Sequence, residues 1–92
     1  MFDIKKYMKE CQKQHIQIII SIELEEPEMD MYRAEMQFRY KDELISDTIY
    51  LGHISTNIDI FEQINDEIDY EPLILVEIQN KVNKILEEEI VR

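Results

Sequence analysis

The sequence predicts one α+β domain over residues 1–92: a three-stranded antiparallel β-meander with helices packed on it, in the order α-β-β-β-α-α. Three observations carry this. Apolar residues alternate with polar ones through "IQIIISIEL" and "MYRAEMQFRY", the period of a strand with one buried face. Apolar residues recur at spacings of three and four near both ends of the chain, the period of a helix with one buried face. One Gly and two Pro leave no flexible linker, so the elements are expected to be long and joined by short loops. A chain of 92 residues with 45% hydrophobic content supports one core, not two.

The first helix is read from Ile4, Tyr7, Met8 and Cys11, with Asp3 as its N-cap and Lys5, Lys6, Lys9 and Lys13 on the opposite side. In the first strand Ile16, Ile18, Ile20, Ile22 and Leu24 point inward, and β-branched side chains favour that conformation. After the loop "EEPEMD", Tyr32, Ala34, Met36, Phe38 and Tyr40 form the inner face of a second strand, with Arg33, Glu35, Gln37 and Arg39 outside. The third strand, "LISDTIYL", is less regular: Ile45, Ile49 and Leu51 point inward, Asp47 interrupts the pattern, and Gly52 ends it. Short connections favour a meander. Thr56, followed three residues later by Asp59, resembles a capping box for the next helix. In that helix Ile60, Phe61, Ile64 and Ile68 share one arc, and Asp59, Glu62, Asp66 and Asp69 share the arc opposite. Pro72 is placed in the first turn of the last helix. Along it Leu75, Ile78, Val82, Ile85, Leu86 and Ile90 form the buried stripe, and Leu73, Val76 and Val91 lie off it. One layer of helices on the sheet is expected to bury every one of these stripes.

The net charge of −11 is unevenly spread, with residues 1–23 at +1 and the rest of the chain at −12. Four lysines are too few for direct nucleic-acid binding, which draws its affinity from neutralising many phosphates. A basic protein partner is expected instead. A single cysteine excludes an internal disulfide and points to the cytoplasm. The charged N-terminal segment does not read as a signal peptide, and "IIISI" and "LILV" are too short to span a bilayer, so no membrane role is expected.

Catalytic signatures are absent from the sequence: no Gly-rich phosphate loop, GxSxG, HExxH or CxxC occurs. Cys11 and His15, four apart, would share a helical face, but Cys11 completes an apolar stripe and His15 marks the helix end. His53 reads as a polar turn residue. "NDEIDYE" does not make a calcium loop, because an EF-hand begun at Asn65 would meet Tyr70 where Gly is needed and Val76 where Glu is needed. No catalytic residue, metal ligand or cofactor is assigned, and the chain is expected to be non-enzymatic.

What stands out is acid. From Asp42 to Asn80 there are ten acids and no Lys or Arg. The like-charge pairs Asp59–Glu62, Glu62–Asp66 and Asp66–Asp69 together cost about 1 kcal/mol of helix stability, which a domain stable by roughly 5–15 kcal/mol tolerates. Three readings follow. The ridge keeps the protein soluble; or it is neutralised by the helix-1 lysines or by Arg33 and Arg39, within the fold or across a dimer; or it docks into a foreign basic groove, where long-range attraction speeds the encounter. In the last case Asp59, Glu62, Asp66, Asp69 and Glu71 bind the partner, with Tyr70 as aromatic anchor.

In length, acidity, element order and the placing of carboxylates after the third strand, the chain resembles the small phage-encoded anti-CRISPR proteins that inhibit type II-A Cas9. The resemblance rests on element order and charge. It implies a DNA mimic that occupies the groove reading the protospacer-adjacent DNA. Small acidic immunity proteins against nuclease toxins fit the same physics. A homodimeric structural or assembly subunit, paired through Leu73, Val76 and Val91 of the last helix, is the reading from another class.

Overall fold

The two alternating segments form strands β1 (Ile16–Glu26) and β2 (Met31–Tyr40), and β3 (Glu43–Ile54) completes an antiparallel sheet in the order β1-β2-β3. The helices are α1 (Ile4–Gln12), α2 (Ile60–Tyr70) and α3 (Leu73–Val91), so the architecture is α+β as the periodicities require. The computed structural model describes residues 2–91 without the side chains of Ser46, Glu89, Ile90 and Val91. The expected stripe position Ile90 and off-stripe position Val91 fall outside that description.

The register brings the alternating residues into opposed pairs. Ile16, Ile18, Ile20, Ile22 and Leu24 stand opposite Tyr40, Phe38, Met36, Ala34 and Tyr32. Met36 and Phe38 stand opposite Ile49 and Ile45 on the other side. Two residues of β2 thus span four of β3, so the strand bulges over 46–48, where Asp47 broke the sequence pattern. Asp47 leaves the core at this bulge and pairs with Lys81 of α3. Its carboxyl is held below the ordinary range, first by the hydrogen bond from Lys81, then by the charges of Lys81 and Lys84.

The core lies between the sheet and the helices, with Ile4, Ile16, Ala34, Met36, Phe38, Ile64 and Ile78 wholly or almost wholly buried. At the tight turns the backbone takes left-handed conformations. Lys41 and Asp42, both at positive φ, make a two-residue hairpin of the type that matches strand twist. His15, at φ 65°, turns α1 into β1.

Four expectations need correction. The β3 strand does not stop at Gly52 but runs to Ile54, because Gly52, at φ 109°, carries an irregularity that a side chain would resist. Asp59, not Thr56, caps α2, accepting hydrogen bonds from the Phe61 and Glu62 backbone N–H at 2.9 and 3.1 Å. Thr56 is diverted by Asp30, whose carboxylate accepts from the Thr56 hydroxyl and N–H at 2.7 and 3.1 Å. Pro72 stands just before α3, its carbonyl accepting from Val76 N–H at 3.3 Å. Finally, the helices do not cover the whole inner face. Ile22 and Leu24, at the far end of β1, remain 38% and 50% exposed.

Candidate partner-binding face on α2

The α2 helix is fixed from three sides, and each contact leaves its outer face free. Ile64 and Ile68 are buried in the core, with Ile60 and Phe61 half-buried beside them. On one flank, Asn65 Oδ1 accepts from the Ile4 backbone N–H at 2.8 Å, filling one of the donors that the start of α1 leaves open. Asp3 fills another by accepting from Lys5 N–H at 3.1 Å. On the other flank, Glu67 lies over Gly52, where an added Cβ would come within 3.3 Å of its Cδ. Gln63 ties the preceding loop to the helix: its Oε1 accepts from Ser55 N–H at 2.8 Å, and its Nε2 donates to the Ser55 and Ile58 carbonyls at 2.6 and 3.0 Å.

The remaining side of the helix is the acidic one. At ~100° per residue, Glu62, Asp66 and Asp69 fall within an arc of about 60°, and all three are exposed. At ~1.5 Å per residue they follow one another at intervals of about 6 and 4.5 Å, somewhat sparser than the roughly 3.4 Å between phosphates along one strand of duplex DNA. Tyr70 flanks the ridge and is 85% exposed. Among the described residues, none of Glu62, Asp66, Asp69 and Glu71 has a side-chain hydrogen bond or ion pair.

Several of the described bases have other contacts. Lys5 sits over the Phe61 ring at 4.8 Å, Lys81 pairs with Asp47, and Arg33 lies 3.0 Å from Glu35 and 4.0 Å from Glu25. Of the expected binding residues, Glu62, Asp66 and Asp69 are brought together with Tyr70 at their edge. Asp59 is not free, since its carboxylate is the helix cap. Glu71 ends α2, its backbone N–H bonded to the Glu67 carbonyl at 2.9 Å, and belongs to the turn, not the ridge.

Sequence reasoning missed a second polar cluster. His53 is not in a turn; it lies on β3 at the sheet's outer face. Its Nε2 meets a carboxylate oxygen of Glu25 on β1, and its Nδ1 meets the Tyr50 hydroxyl at 3.1 Å. The Arg33 guanidinium lies over the Tyr50 ring at 4.7 Å, between them on β2. Only the strand register brings these four together, and no local motif announces it. Elsewhere, burial and the neighbouring Cys11 push the Tyr7 hydroxyl up to about 12, and burial also raises the Cys11 thiol. That is opposite to the shift an activated thiolate needs. Among the described residues no group of three or more His, Cys, Asp or Glu is placed to hold a metal ion, and no helix is long and apolar enough to cross a membrane.

Comparison of the chain with family models, with curated proteins and with solved structures finds no match.

Proposed function

We propose that this domain is a small, non-enzymatic inhibitor that presents the acidic face of α2 to the basic nucleic-acid site of another protein, in the manner of an anti-CRISPR DNA mimic. One observation supports it above the rest: Glu62, Asp66 and Asp69 share one exposed face and have no intramolecular partner among the described residues. A row of carboxylates on a rigid helix meets a row of Arg or Lys with the sign of phosphates at a somewhat wider spacing, and Tyr70 beside it adds a large apolar contact. The same face suits an immunity protein against a nuclease toxin, and the identity of the nuclease bound separates the two.

The test is binding to a panel of nucleic-acid-handling nucleases, a guide-loaded type II-A Cas9 among them, by a titration repeated at rising salt. Affinity that falls with salt, that competes with DNA and that is abolished by Glu62→Lys with Asp66→Lys supports the reading. Unchanged affinity of that double variant overturns it. The assembly-subunit reading is kept alive by Leu73 and Val76, which are 67% and 48% exposed on α3. A dimer dissolved by Leu73→Ser with Val76→Ser would favour it.

A further inference from the structure

The β1 strand is an edge: it pairs with β2 alone. Natural edges of this length normally carry a charge, a proline or a bulge that discourages pairing with another chain. Over Ile16–Ile22 this one has none, its single irregularity falling later, between Leu24 and Glu26. The polarity of the free edge follows from one hydrogen bond. Lys41 N–H donates to the His15 carbonyl at 3.1 Å while Ile16 stands opposite Tyr40. In an antiparallel ladder the odd-numbered residues of β1 therefore bond to β2. The N–H and C=O groups of Ile16, Ile18, Ile20, Ile22 and Leu24 point away from the sheet. These are the residues whose side chains face the helices, and the last two are the ones the helices leave 38% and 50% exposed.

We infer that the occupant of this edge is a second copy of the same chain, joined by antiparallel β1–β1 pairing about a two-fold axis at Ile20. Ile20 is the midpoint of the five inward apolar residues, so this register sets Ile18 against Ile22 and Ile16 against Leu24, apolar on apolar at every inner position. The two sheets become one of six strands with all helices on the same face. Each copy's α1, which leads directly into Ile16, is brought over the other's uncovered Ile22 and Leu24. Charge agrees with the geometry. The acidic end of β1, Glu23, Glu25 and Glu26, meets the end of the partner that carries Lys13, where residues 1–15 hold four lysines against two acids. The α2 ridge takes no part, so this interface stands or falls apart from the proposed inhibitory role.

Two measurements decide it. In sedimentation at rising protein concentration the chain is expected to double in mass. Ile22→Lys, a change at a position partly exposed in the single chain, is expected to raise the dissociation constant about tenfold or more, by placing a charge against Ile18 of the partner. Leu73→Ser with Val76→Ser is expected to leave the dimer intact. Hydrogen exchange on the unaltered protein gives the second readout. Amides of Ile18, Ile20 and Ile22 gain protection as concentration rises, while those of Gln17, Ile19 and Ser21, already bonded to β2, do not change. A monomer at all concentrations, a dimer indifferent to Ile22→Lys, an open-ended polymer, or concentration-independent exchange at the even positions overturns the inference.

Discussion

The turn between β1 and β2 and the outer face of α2 are both acidic, and they use their acid in opposite ways. Asp30, in a left-handed conformation at that turn, gathers the Ser55 hydroxyl at 2.7 Å together with the hydroxyl and N–H of Thr56, and so fastens the sheet's end to the loop that leads into α2. Asp59 does the same for the helix start, and Asp47 for the contact with α3. Glu62, Asp66 and Asp69 fasten nothing among the described residues. The carboxylates that hold the fold sit where the chain changes direction, at bulges and caps. Glu62 favours the first turn of α2 by its charge, but Asp66 and Asp69, farther along, are surplus to folding and carry a small repulsive penalty. A penalty without a structural return is what an outward-directed surface would leave in a sequence.

That contrast can be broken, beginning with the inner side of α2. Ile64 is 1% exposed, and Ile64→Ala should cost about 2–5 kcal/mol by removing buried methyl groups and leaving a cavity. Urea denaturation measures it, and a loss under 1 kcal/mol would mean that α2 is not docked as described. Gly52→Ala should cost roughly 1–3 kcal/mol, since alanine resists the positive φ and its Cβ presses on Glu67. Asp59→Ala should cost about 0.5–2 kcal/mol as a lost cap, whereas Thr56→Ala tests the Asp30 clamp and not the helix start.

Acid titration separates the two sets further. Hydrogen bonds from Thr56 and Ser55 lower the Asp30 carboxyl below its ordinary value, so its contribution is fully present above about pH 4 and is lost as the pH falls below that range. Asp30→Ala should lower the melting temperature at neutral pH and flatten its fall in acid; an unchanged acid limb would refute the clamp. The smallest effect is expected on the ridge. Glu62→Lys with Asp66→Lys should shift stability by less than about 1 kcal/mol, because relief of the repulsions with Asp59 and Asp69 is offset by losing an acid from the first turn of α2 and by two lysines facing each other four residues apart. A loss above 1 kcal/mol would show that the ridge carries structure after all.

Element order was legible because each element announces itself by a local period: Ile16–Leu24 and Tyr32–Tyr40 by two, Ile4–Cys11 and Ile60–Ile68 by three and four. The two-faced character of α2 was legible for the same reason. What escaped depends on contacts between distant residues. The stretch "STNID" offers several acceptors at the helix start, and the contact with Asp30, far back in the chain, takes Thr56 while Asp59 caps. A period of two says which way Ile22 and Leu24 point but not whether a helix reaches them. His53 looked like a turn residue because Gly52 before it looked like a stop, and its meeting with Glu25 exists only in the register.

The bond from Ile4 N–H to Asn65 joins residues 61 apart in sequence. The α1 helix has nine residues, shorter than the ~12–15 at which an isolated helix becomes even marginally populated in water. Its first turn is thus completed by an element synthesised much later. The N-terminal segment should leave the ribosome without lasting helical order and acquire it only when α2 arrives. In kinetic terms this marks α1 as a late arrival on the folding route: substitutions along it should speed unfolding far more than they slow refolding.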